Sequence, residues 1–328
     1  MYSELNYEVL RPAEYSVPPE IKSVVLVDNS IAFPDTNVNI IRVEDEVVKI
    51  DTNKVPDYTS LVLQTVLEEL DARKFFDTVY IDTIQYKVLS KRGPVEELSL
   101  QQINEICGKF GADAIVSLDA YRYTNVIEVT EVADYEYFST YDASAINFWR
   151  LYNCHTGNVM DVHLQKDTIF WEGEGSSINH SLSGFPSFAE ATYSIGEYLA
   201  SGYIDHLAPH WEEVHRRLFT SGSMNFLNAT EWLNKGNWEE AGKIWNYIYK
   251  TGSKKAKMKA ALNLAVAFER NGKINEAVDW ASKAYTVLAQ KNSEGNSGFK
   301  RYIIDFYRQL SIEKMERKKL EQQLGPLE

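Results

Sequence analysis

One six-residue pattern, Gly-x-x-x-Glu-Ala, occurs twice in the carboxyl-terminal third of the chain, as GNWEEA at 236–241 and as GKINEA at 272–277. The same offset of 36 residues relates Trp232 to Phe268. Small residues recur where two helices must approach, large residues recur where a gap must be filled, and glycine recurs at the turn between helices. The pattern therefore predicts two consecutive helical hairpins. The aromatic residues at its packing positions are predicted to lie in the core: Trp232, Trp238, Trp245 and Phe268.

This repeat resembles the tetratricopeptide repeat, a helix–turn–helix unit of about 34 residues. The extra residues fall within 251–257, Asn228 stands where an apolar residue is expected, and no proline ends either unit. A further amphipathic stretch runs from residue 299 to about residue 323. We expect it to form a helix that closes the array, because two repeats alone leave an apolar face open.

The resemblance also implies a concave binding face, formed by the first helix of each repeat. Its predicted residues are Phe226, Leu233, Lys259, Leu262, Val266, Glu269 and Arg270. Apolar anchors beside one acid and two bases suit an extended peptide or a partner helix. The alternative is that the third helical stretch or the preceding domain fills this face and leaves nothing to bind.

The preceding part of the chain alternates between strand and helix patterns. In chain order the segments are strands at 24–27 and 79–81 separated by a helix at 56–76, a helix at 100–110, strands at 112–118, 136–153 and 158–171, and a helix at 187–207. Strand–helix alternation implies parallel pairing early, and the turn at 155–158 implies an antiparallel hairpin late. A mixed sheet with helices packed on it satisfies both.

The predicted fold class is therefore α+β, a mixed sheet with packed helices, followed by an all-α tetratricopeptide-like helical hairpin repeat. Residues 1–20 are predicted to be an extended lead-in, 21–222 a mixed α/β domain and 223–328 the helical domain. Residues 208–221 fit either a helix or an edge strand, because Trp211, Val214 and Leu218 have helical spacing.

Two short motifs of the α/β domain carry a second resemblance. An Ala-Asp-apolar strand at 112–118 precedes a hairpin with Arg-Leu at 150–151 and Thr-Gly at 156–157. This arrangement resembles the bacterial envelope domains of the curli-secretion lipoprotein, of the lipoprotein activators of penicillin-binding proteins and of the TolB amino terminus. The whole chain resembles a family of uncharacterised bacterial lipoproteins with this two-part layout.

That resemblance implies export and a lipid anchor, since members of the family begin with a signal peptide and a lipid-modified cysteine. Met1 would then follow the anchoring cysteine in the native protein, and residues 1–20 would tether the domain. We expect a location on the periplasmic side of the cell envelope. The alternative is a cytoplasmic tetratricopeptide adaptor that begins at Met1.

Charge is distributed unevenly along the chain. The 34 Lys and Arg residues and 47 Asp and Glu residues give a net charge of −13, which disfavours binding to nucleic acid. Residues 223–328 contain 18 basic and 12 acidic residues, whereas residues 1–222 contain 16 and 35. The change of sign indicates two parts with different roles, or two solvated surfaces that have diverged.

Motifs for common chemistries are missing: the sequence has no Gly-x-x-x-x-Gly-Lys-Ser/Thr phosphate loop and no Gly-x-Ser-x-Gly elbow. The densest histidine group is His206, His210 and His215, but Pro209 interrupts the helix that would align it. Asp161 and His163 share a strand face and could be a pair of metal ligands, but a solvated face is the favoured interpretation. No metal or cofactor is predicted.

Three aspartates, Asp28, Asp82 and Asp119, lie in or at the ends of strands, where α/β enzymes place catalytic groups. They support an alternative hypothesis, an enzyme or small-ligand binder, although aspartate also forms turns. Cys107 and Cys154 could pair, but buried free thiols are favoured.

The favoured hypothesis is a non-enzymatic interaction or scaffold protein of the bacterial cell envelope. Its partner is another protein or a peptide. No nucleic acid is expected as a partner, and a membrane is contacted only through the lipid anchor.

Overall fold

The computed structural model describes residues 1–32, 37–51, 57–86, 95–290 and 297–326. The strands are β1 (Tyr2–Arg11), β2 (Ser23–Ala32), β3 (Val38–Val43), β4 (Glu46–Asp51), β5 (Thr78–Gln85), β6 (Ala114–Ala133), β7 (Glu136–Asn153), β8 (Val159–Gly175) and β9 (His210–Phe219). The helices are α1 (Tyr58–Arg73), α2 (Leu100–Phe110), α3 (Ile178–Ser181), α4 (Phe188–Leu207), α5 (Met224–Asn234), α6 (Trp238–Thr251), α7 (Lys254–Arg270), α8 (Ile274–Ala289) and α9 (Ser297–Leu324).

The chain divides into two compact units. One unit, the α/β unit, is Ala13–Ala208, and the other, the helical unit, combines Met1–Pro12 with Pro209–Glu328. These boundaries differ from the predicted ones, because residues from both sides of the α/β unit pair with each other in β1 and β9. None of the described helices combines the length and the apolar character needed to cross a membrane.

The α/β unit is built on a mixed seven-stranded sheet, which confirms the predicted fold class. The long strand β6 lies at its centre: β2 pairs parallel with its first part, β3 pairs parallel with its second part, and β7 pairs antiparallel along its other edge. Outside these strands, β5 pairs parallel with β2, β4 pairs antiparallel with β3, and β8 pairs antiparallel with β7.

Helices cover both faces of the first half of β6. Residues 114–121 are all buried, and α1 and α4 pack on one face while α2 packs on the other. A strand that is covered on both faces reads as a nearly continuous apolar run, and residues 114–118 form such a run with Ser117 as its polar residue. Helices α1 and α4 approach closely at Gly196, where an added Cβ would lie 3.0 Å from the Tyr58 ring.

The helical unit begins with a two-stranded ribbon. β1 pairs antiparallel with β9, from Tyr2 opposite Phe219 to Arg11 opposite His210. The ribbon corrects the expectation that residues 1–20 form an extended lead-in that tethers the domain, and it assigns residues 210–219 to a strand.

Two helical hairpins follow the ribbon, α5 with α6 and α7 with α8, and α9 packs on α8. Both hairpins turn at a glycine with positive φ, 75° at Gly236 and 70° at Gly272, a conformation that other residues adopt only with strain. Asn237 caps α6 by accepting a hydrogen bond from the Glu240 N–H. The all-helical carboxyl-terminal region is therefore as predicted.

Of the four predicted core aromatics, Trp245 is 1% exposed and lies at the centre of the helical core. Trp238 and Phe268 are half-buried at its margin. Trp232 is 38% exposed, so its assignment to the core is wrong. The Trp232 side chain projects from α5 toward solvent, and the Lys235 ammonium lies 5.0 Å from the centre of its ring.

Candidate functional site

The predicted concave face of the helical unit is largely buried. Phe226 on α5 and Leu262 and Val266 on α7 are at most 1% exposed, and all three belong to the unit's own core. Leu233 is half-buried against the same core. The prediction of an open binding face at these residues is therefore wrong, and the alternative that the chain fills this face itself is correct.

Strand β9 fills the face by packing against α7. The side chain of Asn263, which is fully buried, accepts a hydrogen bond from the Phe219 N–H and donates one to the Phe219 carbonyl, both at 2.8 Å. The Tyr302 hydroxyl of α9 accepts a hydrogen bond from the Arg217 N–H at 3.0 Å. The edge of β9 that does not face β1 is thus satisfied by side chains of the surrounding helices.

A buried ion pair completes this contact. Glu269, predicted as an exposed face residue, is 4% exposed and accepts hydrogen bonds from the Arg216 guanidinium at 2.6–3.0 Å. The Tyr7 hydroxyl of β1 donates a further hydrogen bond to Glu269 at 2.7 Å. Burial and the Glu269 carboxylate raise the pKa of Tyr7 well above its usual range, so the phenol remains a donor.

The network extends to Glu313 on α9. Burial, and next the charge of Glu269, raise the pKa of Glu313 to about 7, although Arg11 and Arg216 act in the opposite direction. Arg11 lies 3.4 Å from Glu313 and 2.9 Å from Glu316, so one guanidinium serves both carboxylates.

The two predicted basic residues of the face have different surroundings. The Lys259 ammonium donates a hydrogen bond to the Ser221 carbonyl at 3.2 Å, which holds it beside the end of β9. Arg270 is exposed, and its guanidinium lies over the Trp238 ring at 4.9 Å. Arg270 therefore marks a second region of the helical unit, formed by α6, α7 and α8.

An aromatic pocket of about 370 Å³ lies in this second region. Its apolar lining includes Trp238, Leu264, Phe268 and Trp280, and its polar lining includes Glu239, Lys243, Asn246 and Asn271. Gly242 lies between these groups, and an added Cβ there would meet only the Leu264 side chain, at 3.9 Å. The pocket can therefore be narrowed by substitution without a clash.

The indole rings of the pocket are held by contacts on their outer sides. Trp238 makes an edge contact with the buried Trp245, and Trp280 makes one with Tyr249. The Lys283 ammonium lies 3.7 Å from the centre of the Trp280 ring. Sequence reasoning treated Trp238 and Phe268 as core residues and did not single out Trp280, because packing positions and pocket walls have the same helical spacing.

The three histidines that are close in sequence, His206, His210 and His215, belong to two different units. His206 lies in the last turn of α4 in the α/β unit, whereas His210 and His215 lie on β9 in the helical unit, where His215 contacts the Asn6 side chain at 2.8 Å. Helix α4 ends at Leu207, so the segment around Pro209 separates residues that are neighbours in sequence.

His206 instead belongs to a group of two histidines and two carboxylates, which we call the histidine cluster: Glu14, Asp161, His163 and His206. His206 Nδ1 lies 2.9 Å from Glu14 Oε2, and His206 Nε2 lies 2.8 Å from Asp161 Oδ2. The rings of His163 and His206 lie 3.8 Å apart. Burial, and then His206, lower the pKa of His163 below its usual range. The interpretation of Asp161 and His163 as a solvated pair is therefore wrong.

The strand-end aspartates are held by donors of the α/β unit itself. Asp28 accepts hydrogen bonds from the Ser30 N–H and hydroxyl and from the Thr59 hydroxyl, at 2.6–3.0 Å. Asp82 pairs with Lys109 at 2.9 Å and also accepts from the Tyr86 hydroxyl. Burial raises the pKa of Asp82, but these donors outweigh it and the pKa is lowered.

Asp119 is fully buried at a bulge in β6. It accepts hydrogen bonds from Ser117, Asn29 and Arg150, yet burial dominates and raises its pKa. Arg150 also donates to the carbonyl of Glu96, at 3.3 Å. The pair therefore fastens the segment before α2 to the sheet, which is a structural role.

The two cysteines form a disulfide. Cys107 of α2 and Cys154, next to the turn between β7 and β8, are bonded, with Cα atoms 5.7 Å apart. The preference for buried free thiols is therefore wrong. The pairing was not visible in the sequence because 47 residues separate the two positions and only the packing of α2 on the sheet brings them together.

A family model described as "Domain of unknown function (DUF8603)" matches residues 21–219. The chain belongs to the DUF8603 family. A second model, "Domain of unknown function (DUF6340)", matches residues 227–311 and so covers most of α5, all of α6, α7 and α8, and part of α9. The DUF8603 match includes β9, although β9 is part of the helical unit. None of the curated proteins matches the chain.

Several solved structures resemble the chain at low identity. The PelC dodecamer from Paraburkholderia phytofirmans has 12% identity and a TM-score of 0.27, over 62% of this chain and 98% of its own. Protein XCC0632 from Xanthomonas campestris has 10% identity and a TM-score of 0.24, over 59% and 92%. Lipoprotein GNA1162 from Neisseria meningitidis has 13% identity and a TM-score of 0.21, over 56% and 94%. At such TM-scores these likenesses carry no argument about this chain.

Proposed function

We propose that this chain is a non-enzymatic interaction protein of the cell envelope, and that its helical unit binds a partner protein through the aromatic pocket. The observation that carries the proposal is the pocket itself. Its volume of about 370 Å³ lies within the range of ligand pockets, about 300–1,000 Å³. Two indole rings, one phenyl ring and a leucine line it, which suits a large apolar side chain as the anchor of a partner.

The charges around the pocket favour an acidic partner segment. Arg270 and Lys283 lie on the tryptophan rings that form its walls. Lys243 also lines the pocket, but it pairs with Glu239 at 3.0 Å and with Glu240 at 2.7 Å, so the positive charge at the pocket comes from Arg270 and Lys283. Residues 223–328 also have an excess of basic residues, 18 against 12. Such an arrangement steers acidic segments toward the pocket and adds specificity more than affinity.

The compartment is inferred from the disulfide. Disulfides persist in oxidising compartments, such as the bacterial periplasm, and are rare in the cytosol. The bond between Cys107 and Cys154 joins a helix to a hairpin inside one unit, so it is a structural crosslink. It favours an exported protein over the cytoplasmic adaptor. The lipid anchor stays a prediction of the family resemblance.

The binding proposal can be tested with peptides. A displayed random-peptide library, selected against the purified protein, is expected to yield a motif with one aromatic or large aliphatic anchor next to Asp or Glu. Gly242→Leu places a side chain in the pocket and favours the helix by nearly 1 kcal/mol. We expect it to weaken binding of a selected peptide by at least about tenfold, measured by fluorescence anisotropy, which is about 1.4 kcal/mol.

A matched control is available on the same helix. Lys250→Leu introduces the same residue at an exposed position of α6 that does not line the pocket, and it should leave the affinity unchanged. Lys243→Glu should weaken binding more at low salt than at high salt, because rim charges are screened. Peptides that bind Gly242→Leu as well as the unaltered protein would place the site elsewhere and defeat the proposal.

The compartment has a separate test. Cells producing the protein are quenched with acid and alkylated with a thiol reagent of large mass, with and without prior reduction. An exported protein should gain mass at Cys107 and Cys154 only after reduction. Alkylation without reduction, together with recovery in the cytosolic fraction, would contradict the envelope assignment and leave the pocket proposal standing.

A further inference from the structure

The histidine cluster brings together groups from three places in the α/β unit. Asp161 and His163 project from the same face of β8, and His206 lies in the last turn of α4. Glu14 follows β1, and the segment that carries it is fixed to the end of α4, where the Tyr15 N–H donates a hydrogen bond to the His206 carbonyl at 2.8 Å. The backbone therefore positions each member.

We propose that Glu14, His163 and His206 bind one divalent first-row transition-metal ion, with Zn²⁺ as its probe, and that Asp161 positions His206. Each of the three offers one ligand atom, and these atoms lie within 4.8 Å of one another. Two imidazoles and one carboxylate are a donor set that suits such metals, and a three-ligand set leaves a fourth position open.

The geometry requires a modest adjustment. Ligand bonds of about 2.0–2.1 Å in a tetrahedron place ligand atoms about 3.3 Å apart. The Glu14 and His206 ligand atoms, 2.9 Å apart, would separate slightly, and the His163 ligand atom, which lies within 4.8 Å of both, would approach them. The Glu14 side chain is 72% exposed, which gives an ion a path from solvent.

Asp161 determines which nitrogen of His206 is offered. Asp161 lies 2.8 Å from Nε2, and Glu14 lies 2.9 Å from Nδ1, on the other side of the ring. If Asp161 accepts the Nε2 proton, the lone pair is on Nδ1, toward Glu14. Carboxylates that orient a ligating histidine in this way are common around metals. Asp161 is thus a positioning residue in the proposal.

A purely structural role for the cluster would look different. His206 with protons on both nitrogens can donate to both carboxylates and form an ion pair with each. That arrangement involves Glu14, Asp161 and His206 but has no need of His163. The residue that distinguishes the two roles is therefore His163.

The experiment measures Zn²⁺ binding by competition with a chromogenic chelator, using the full chain without a histidine tag. We expect one ion per chain, and no response to Mg²⁺ or Ca²⁺ because those ions prefer oxygen ligands. His163→Asn and Glu14→Gln should each weaken binding at least about tenfold, and Asp161→Asn about 10- to 100-fold. Co²⁺ in the site should give visible absorption bands that His163→Asn abolishes.

Two histidines outside the cluster supply controls. His155→Gln and His215→Gln remove imidazoles at exposed positions, and both should leave the stoichiometry and affinity unchanged. Far-ultraviolet circular dichroism of every variant establishes that it folds, and Glu14→Gln alters a side chain that is 72% exposed. A chain that binds no Zn²⁺ under these conditions would overturn the proposal. Binding that survives both His163→Asn and Glu14→Gln would also overturn it.

Discussion

The contact between Asn263 and β9 can be tested by a single substitution. The Asn263 amide is fully buried and makes two hydrogen bonds of 2.8 Å, one with the N–H and one with the carbonyl of Phe219. Asn263→Ala removes both partners and leaves a buried donor and a buried acceptor unsatisfied. Each unsatisfied group costs about 1–3 kcal/mol, so we expect the helical unit to lose about 2–6 kcal/mol of unfolding free energy.

Native-state hydrogen exchange of the Phe219 amide is the direct assay. A loss of about 2–6 kcal/mol corresponds to exchange about 30-fold to about 20,000-fold faster, since about 1.4 kcal/mol is a factor of ten. The Arg217 amide donates to the Tyr302 hydroxyl instead of to Asn263. A smaller acceleration at Arg217 than at Phe219 would indicate local loss of the Asn263 contact, and equal acceleration would indicate opening of the whole unit.

Asn228 provides the matched control for this substitution. It is exposed on α5, and Asn228→Ala is expected to change the unfolding free energy by less than about 0.5 kcal/mol, as surface substitutions usually do. Unchanged protection of the Phe219 amide in Asn263→Ala would refute the assignment. Equal losses in the Asn263 and Asn228 variants would show that β9 is not held in the way described.

Three further predictions concern the free energy of unfolding, which is measured in each case by urea denaturation. Burial raises the pKa of Glu313 from 4.5 to about 7, so its protonated form stabilises the fold and this contribution is lost as the pH rises from about 4.5 through 7. Glu313→Gln should therefore be more stable than the unaltered chain at pH 8 by about 1–3 kcal/mol and equal to it near pH 4, whereas Glu316→Gln should show no such gain. Trp245→Ala should cost about 3–5 kcal/mol by leaving a cavity, and an unchanged denaturation midpoint would contradict its place in the core. Replacing Cys107 and Cys154 by serine should destabilise the α/β unit by up to about 4 kcal/mol, because the bond closes a loop of 47 residues, and it should leave the helical unit unaffected.

Local patterns were sufficient for five of the seven strands of the sheet and for most of the helices, but they did not predict β3, β4 or the second half of β6. The alternation along 136–153 and 158–171 matches β7 and β8, and the repeat at 236–241 and 272–277 marks the first turns of α6 and α8. In these segments the residues that decide the structure are close in sequence. Period and turn chemistry therefore carry the information.

The strand β9 was ambiguous because a charged residue lies on its buried face. Val214, Arg216 and Leu218 alternate as a strand requires and are all buried. Without knowledge of Glu269, which neutralises it, Arg216 breaks the apolar alternation and leaves the helical spacing equally acceptable. The same missing partner explains why Glu269 was placed on an exposed face.

The aromatic pocket shows a limit of another kind. The repeat correctly marks where large residues recur, but a tryptophan that fills a core and one that lines a pocket occupy equivalent helical positions. Trp238 and Trp245 are seven residues apart on one face of α6, and only Trp245 is fully buried. The difference between them arises at Gly242, which lies between them in α6 and lines the pocket beside Trp238. Because Gly242 has no side chain, the space of the pocket stays open there.

The sequence did not reveal the histidine cluster, because its members are far apart in the chain and residues close in sequence were expected to be close in space. Asp161 and His163 were correctly placed on one strand face, but His206 was grouped with His210 and His215, which follow within nine residues. The chain passes from one unit to the other between Ala208 and Pro209, so that grouping crosses a boundary. Sequence neighbours are poor candidates for a shared site where such a crossing occurs. The chain also passes between the units at Pro12 and Ala13, and Glu14, which pairs with His206, follows two residues after Pro12. The partner of His206 therefore lies near this second boundary in the sequence and not among the histidines that follow it.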